Sequence, residues 1–153
     1  MLRIISLFTV AQALFAQETS TTHHAKGTFT VKIEPVKLAT AEGLARLSGV
    51  KQIHGDLEAT TKGEMLAWGD PGKGEAGIVM MEIVTGTLMG KRGTFTLQGL
   101  GAMDRHEQRM TVTIVPGSGT GALTGIVGRF DIRIENGQHF YDLEYSLPKT
   151  GKD

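Results

Sequence analysis

The stretch "KQIHGDLEATTKGEML", residues 51–66, alternates between polar side chains and small or apolar ones. From residue 54 onward every second residue is polar, and these residues form a polar row: His54, Asp56, Glu58, Thr60, Lys62 and Glu64. The residues between them are small or apolar. A period of two places successive side chains on opposite faces of a sheet. The stretch therefore predicts a β-strand with one polar face and one apolar face.

The direction of the polar row distinguishes a strand with a solvated outer face from one that lines an internal cavity with polar groups. Strands with one solvated face usually place their polar side chains outside, which favours a row in water with Leu57, Ala59 and Met65 toward the core. The alternative is an inward row that lines a cavity. Gly55 and Gly63 keep this alternative open, because a bulge at either glycine would move part of the row to the other face.

Alternation continues through most of the remaining chain. The strands that it predicts are 27–35, 75–90, 92–103, 108–116, 121–135 and 139–147. The stretch "KLATAEGLARLSG", residues 37–49, has the best helical period, although Gly43 weakens it. Residues 121–135 contain Gly125 and Gly128, which indicate a bulge or a sharp bend.

Short connections between these strands predict an antiparallel meander. "ENGQ" places Asn136-Gly137 between two strands, and both residue types tolerate the positive φ of a two-residue hairpin turn. "PGSGTG", residues 116–121, is a second turn, rich in glycine. A meander of about eight strands closes most simply into a barrel, because closure removes unpaired strand edges. We expect an all-β, single closed antiparallel barrel.

Composition excludes several functional classes. The chain has 153 residues, which fits one domain, and 16 basic residues balance 16 acidic ones. This balance gives no reason to expect nucleic acid or an anionic membrane as a partner. There are no cysteines, so disulfides and cysteine nucleophiles are excluded, and we expect no metal. We also expect no cofactor, because the Gly-rich "GSGTGALTG" leads into a strand instead of the helix that phosphate loops require.

The first residues differ in character from the rest. Arg3 precedes an apolar run over 4–15, and Ala16 or Ala13 ends a small-residue pattern typical of signal cleavage. The sequence predicts a signal peptide over 1–16, a flexible segment over 17–26, the barrel over 27–147 and a tail over 148–153. We therefore expect an exported protein, periplasmic or secreted, with no membrane contact after signal removal.

Five motifs together carry a family resemblance: "HHAKGTFTVKIEP", "HGDLEATTKGEML", "VTGTLMGKRGTFTLQGLGAM", "VTIVPGSGTGALTGIVG" and "HFYDLEYSL". They resemble a family of small bacterial proteins known only as a domain of unknown function. The known structures of that family resemble the barrel of allene oxide cyclase. The likeness spans residues 22–147 and implies a closed antiparallel barrel. It implies no activity, because the family has none established, and fold alone does not carry one over.

Six side chains are candidates for ligand binding: Glu58, Glu64, Glu82, Gln98, Tyr141 and Tyr145. Glu82 lies in "GIVMMEIVTG", where an unpaired buried carboxylate would be costly and would mark a site. Tyr141 and Tyr145 share the apolar face of the last strand, and buried hydroxyls of this kind need partners. Each candidate has a plain structural alternative, either a solvated strand face or a core position.

These features favour an exported barrel that binds a small apolar or amphipathic ligand in its interior. Two alternatives stay open. The first is a cyclase or isomerase that uses Glu58, Glu64 or Glu82 for acid–base chemistry. The second is a structural barrel that forms a homo-oligomer through residues 78–89, which are apolar on both faces. A binding role is favoured over an enzymatic one.

Overall fold

The chain folds into a closed barrel of eight antiparallel strands. The structure is a computed structural model that describes residues 21–36 and 41–148. Its strands are β1 (His23–Pro35), β2 (Leu44–Gly55), β3 (Leu57–Asp70), β4 (Glu75–Leu88), β5 (Lys91–Asp104), β6 (Glu107–Ile114), β7 (Val127–Glu135) and β8 (Gln138–Ser146). They pair in chain order, and β1 closes the barrel against β8 with Ala25 opposite Leu143. The predicted fold class is confirmed.

Tight turns join most of the neighbouring strands. Asn136 and Gly137 have φ of +49° and +78°, and Glu135 pairs with Gln138 beside them. The hairpin predicted from "ENGQ" is therefore confirmed. Short turns of this kind fix the register of the strands that they join.

Two expectations about secondary structure, one helix and one strand, are wrong. Residues 44–49 of the expected helix belong to β2, where pairing with β1 and β3 stabilises the extended backbone; residues 37–40 lie outside the described part. The strand expected over 121–135 begins only at Val127, because residues 121–123 form a short 3₁₀ turn. β1 begins at His23, inside the segment expected to be flexible. The predicted signal peptide, 1–16, lies outside the described residues.

One end of the barrel, which we call the closed end, is sealed by residues 115–126. This segment runs along the part of β5 that β6 leaves unpaired, with Val115 N–H donating to the Thr96 carbonyl at 2.8 Å and Thr120 N–H to the Thr94 carbonyl at 2.9 Å. Leu123 and Ile126 are fully buried. Between β6 and β7 the direct ladder is reduced to one residue pair, Thr113 with Arg129.

The opposite end, which we call the mouth, is less well covered. Here Ile33, Met110 and Ile134 continue the inward-facing phase of β1, β6 and β7, yet each is about half-exposed. The interior is thus packed at the closed end and opens toward water at the mouth.

Tyr141 ties β8 to the turn between β2 and β3 at the closed end. Its hydroxyl accepts a hydrogen bond from Leu57 N–H at 3.0 Å, and its ring stacks on Phe130 at 5.1 Å between centroids. Burial is the largest influence on the hydroxyl and raises its pKa. Gly27 leaves room for this ring, since a Cβ there would lie 2.8 Å from Tyr141 Cε1. The tyrosine therefore holds both a core position and a backbone partner.

We predict that Tyr141→Phe lowers the free energy of unfolding by about 1–3 kcal/mol, because it leaves the buried Leu57 N–H unpaired. Chemical denaturation of the purified chain measures this. Tyr145→Phe is the matched control, and we expect it to change the unfolding free energy by less than about 0.5 kcal/mol. Equal losses in the two variants would show that the hydroxyl–backbone bond has no special role.

Candidate functional site

A cluster of three polar side chains lies inside the barrel, at mid-height. Lys51 of β2, Thr61 of β3 and Glu82 of β4 are only 7%, 1% and 5% exposed. They face inward because each is in phase with buried apolar neighbours, such as Ile53 beside Lys51 and Val84 beside Glu82. We call this cluster the interior polar site.

The three side chains form one connected network. Lys51 Nζ donates to Glu82 Oε1, and Thr61 Oγ1 donates to Glu82 Oε2 at 3.1 Å. The backbone N–H of Lys51 in turn donates to Thr61 Oγ1 at 3.1 Å. Both carboxylate oxygens of Glu82 are thus occupied, and the lysine charge is compensated within the barrel. Such pairing is what makes burial of two charges tolerable.

The ammonium of Lys51 retains unused donor capacity. A lysine ammonium has three N–H donors. Within the described residues, Nζ contacts one hydrogen-bond acceptor, Glu82 Oε1, and lies 5.3 Å from the centroid of the Phe29 ring. The ring stabilises the cation through its π face but accepts no conventional hydrogen bond. The site can therefore donate to a further acceptor.

Gly63 makes the position of Glu82 possible. The two residues are directly opposite in the β3–β4 ladder. A Cβ at Gly63 would collide with Cβ of Glu82 and with the Met81 carbonyl oxygen. The glycine that suggested a bulge in the sequence instead lies in an unbroken ladder, where it gives space to the carboxylate across from it.

Two methionines lie between the interior polar site and the mouth. Met65 follows Thr61 along β3 toward the mouth, and Met80 occupies the corresponding place on β4 beside Glu82. Their methyl groups cover interior glycines, with Met65 Cε 3.4 Å from a Cβ built at Gly49 and Met80 Cε 3.1 Å from one built at Gly99. Flexible thioethers beside glycines make this half of the interior easy to rearrange.

The polar row of 54–64 lies on the outside of the barrel. Glu58 is exposed and accepts from Gly55 N–H at 2.8 Å and from His54 Nδ1 at 3.0 Å, and these bonds, the backbone one foremost, lower its pKa. Glu64 is also exposed and accepts from Arg46 Nε at 2.9 Å. The inward alternative for Glu58 and Glu64 is wrong, because β3 pairs with β4 residue by residue without a bulge.

The other predicted ligand-binding residues, apart from Glu82, also lie away from the interior polar site. Gln98 points outward and is exposed, so it does not contact the interior. Tyr141 and Tyr145 are buried toward the closed end, where Tyr141 bonds the Leu57 backbone and Tyr145 contacts the ring of His23 at 5.5 Å. Of the six candidates, only Glu82 belongs to the interior polar site.

Sequence reasoning missed Lys51 and Thr61. A signal was available: Thr61 belongs to the small and apolar row of β3, and Lys51 is two residues from Ile53 in the strand before it. Tracing the inward phase back through the turn at Gly55–Leu57 would have placed a lysine and a threonine inside, opposite each other.

Neither a metal cluster nor a membrane helix emerges from the described residues. No three His, Asp or Glu side chains in 21–36 and 41–148 converge in a way that could hold a metal ion. Over the same ranges, no helix has the length and hydrophobicity needed to cross a bilayer.

Comparison with known proteins agrees with the observed fold. The family model "Protein of unknown function (DUF3224)" matches residues 25–145. A crystal structure of a protein with unknown function from the DUF3224 family of Shewanella oneidensis MR-1 is 41% identical, with a TM-score of 0.76. The match covers 84% of this chain and 100% of that one. No curated protein matches. The chain is a member of the DUF3224 family, whose function is unknown.

Proposed function

We propose that the barrel binds one small ligand with an apolar body and a polar end that accepts hydrogen bonds. The ligand lies between the mouth and the interior polar site. The single observation that carries this proposal is the buried Lys51–Glu82 pair, which leaves lysine donors free in an otherwise apolar interior.

Stability alone is a poor reason for such a pair. Desolvating two charges offsets much of their mutual attraction, and apolar side chains of similar volume often replace a buried pair with no loss. The other fully buried inward positions at this level, such as Ile53, Val84 and Leu97, are apolar. Charged groups that interrupt an apolar interior are typical of binding sites, where a few polar groups orient a ligand.

The route to the site runs through the mouth. Half-exposed Ile33, Met110 and Ile134 form an apolar entrance, and Met65 and Met80 lie beyond it. Rotation of the methionine side chains displaces their methyl groups from Gly49 and Gly99 and opens volume next to Lys51. Eight-stranded barrels hold at most one small ligand, so the ligand is short.

Hydrogen-bond capacity determines the polar end of the ligand. Lys51 has N–H donors without an acceptor among the described residues, so a carbonyl or carboxylate oxygen suits the site. An amine cation would instead place a second positive charge beside the Lys51 ammonium. We use octanoate and octylamine as probes, because they share an apolar chain and differ in the polar end.

The enzymatic alternative, a cyclase or isomerase, now depends on Glu82 alone. Glu58 and Glu64 lie on the outer surface and cannot act on a ligand in the interior. No separate observation favours catalysis over binding. Export also stays a proposal, supported by the signal-like sequence of residues 1–16.

We predict that octanoate, and not octylamine, shifts the methyl signals of Met65 and Met80. The protein is labelled with [¹³C-methyl]methionine and titrated by NMR. We expect saturable shifts with half-saturation below about 1 mM, which corresponds to roughly 4 kcal/mol of binding free energy. The methyl groups of Met81 and Met89, which are exposed on the outside, serve as internal controls and should stay unchanged.

Equal shifts at Met81 and Met65 would contradict interior binding, because they would indicate association of the apolar chain with the surface. Stronger binding of octylamine would contradict the assignment of Lys51 as the donor. No shift of Met65 or Met80 with either probe up to about 10 mM would overturn the proposal for this ligand class.

We predict that Lys51→Met and Glu82→Leu each lower the free energy of unfolding by about 3–5 kcal/mol, because each leaves one buried charge unpaired. The double variant should recover most of this loss, since it leaves no charge, and should no longer bind octanoate. Denaturant unfolding and the NMR titration measure the two effects.

The exposed pair Arg46–Glu64 provides the matched control. In a double-mutant cycle of Arg46→Gln and Glu64→Gln, we expect a coupling free energy of about 0–1 kcal/mol. A double variant as unstable as the single ones would show that the interior pair maintains the fold. That result would remove the stability argument for a binding role.

A further inference from the structure

The outer surface of the barrel is divided into two chemically different halves. Over β7, β8 and β1 the outward side chains form ion pairs, including Arg129 with Asp131 at 3.0 Å, Lys26 with Asp142 at 3.1 Å and His24 with Asp142 at 2.8 Å. This half is an ordinary solvated surface, in which charges of both signs alternate.

The outward side chains of β4 and β5 carry no charge over most of each strand. On β4 no outward residue between Gly77 and Thr87 is charged, and on β5 none between Thr94 and Ala102 is charged. Six large apolar side chains, each 45–61% exposed, define what we call the uncharged face: Leu66, Trp68, Val79, Met81, Ile83 and Leu100.

Strand pairing makes the uncharged face continuous. Leu66, Val79 and Leu100 are direct partners across β3, β4 and β5. Met81 and Ile83 extend this row along β4. An open groove of about 800 Å³ runs over this part of the surface. The apolar side chains therefore form one patch and not a scatter of isolated residues.

We propose that the uncharged face binds a second copy of this chain and forms a two-fold symmetric dimer. The six side chains expose on the order of 700 Å² per copy, close to the roughly 800 Å² that each partner buries in a standard interface and above the 300–600 Å² of the largest patch on a typical monomer. Depletion of charge at the centre is the compositional feature of such interfaces.

The chemistry of the face suits a copy of itself. A two-fold interface uses the same patch twice, so an uncharged centre meets an uncharged centre without repulsion. Charges of both signs border the face on β3, where Lys62 lies opposite Ile83 and Glu64 lies opposite Met81 and pairs with Arg46 of β2. The strands beneath the face, β3 to β5, are paired on both sides and offer no free edge to a partner. The copies therefore associate by packing sheet against sheet, as in β-sandwiches.

Sedimentation velocity of the full chain tests this proposal. We expect the wild-type protein to be a dimer at about 10 μM, within the range of standard interfaces. Met81→Lys places two ammonium groups at the centre of the interface, and we expect it to raise the dimer dissociation constant at least about 100-fold. Leu100→Lys, on the neighbouring strand, is a second variant with the same expected effect.

Val127→Lys is the matched control, because Val127 is an exposed apolar residue that points outward from β7, in the charged half. It should remain a dimer. A wild-type monomer up to about 200 μM would overturn the proposal and leave the face to residues 1–20 or to another protein. The proposal would also be overturned if the Met81→Lys and Leu100→Lys variants both fold and remain dimers. A monomeric Val127→Lys variant would overturn it as well.

Discussion

Closure of the sheet is the constraint on which the rest of this structure depends. Each strand of the barrel is paired on both sides, so each side chain in a strand points either into the interior or into the surroundings. A slip of one residue in any ladder would exchange the two sets. Unbroken pairing of β3 with β4 is therefore what places Thr61 and Glu82 inside and the carboxylates of Glu58 and Glu64 outside. The identity of the site follows from register more than from the composition of any strand.

Closure leaves two ends that differ in how they are covered. The closed end is sealed by backbone bonds from residues 115–126 to β5 and by buried Leu123 and Ile126. The mouth has no comparable cover among the described residues, and its interior contains glycines with methionines beside them. Large rigid side chains fill the closed end, while glycines covered by flexible methionine side chains line the half toward the mouth.

Much of the fold was predictable from sequence because it is expressed locally. Period-two alternation and the Asn136-Gly137 turn each depend on a few adjacent residues, and both were interpreted correctly. Residues 44–49 were wrongly interpreted as helical, because their extended form depends on hydrogen bonds from β1 and β3. A helical period in the sequence cannot reveal these bonds. Propensity gives way to pairing at such positions.

The site was harder to predict because its members come from three strands. Glu82 was identified as unusual in its own apolar context, but its partner Lys51 lies 31 positions away and became visible only through the registers of β2–β3 and β3–β4. Lysine is also the residue that solvated-face reasoning most readily assigns to water. A buried pair therefore escapes detection when each residue is judged alone.

The structure explains why the sequence of β4 is apolar on both faces. In "IVMMEIV", residues 78–84, the inward set is Ile78, Met80, Glu82 and Val84, and the outward set is Val79, Met81 and Ile83. One set contributes to the interior polar site and its cover, and the other lies at the centre of the uncharged face. The proposed dimer would bury the outer set as well, and strands buried on both sides are apolar on both faces. Because the two sets are separated by the backbone, the proposed ligand binding and the proposed association of copies are physically separable.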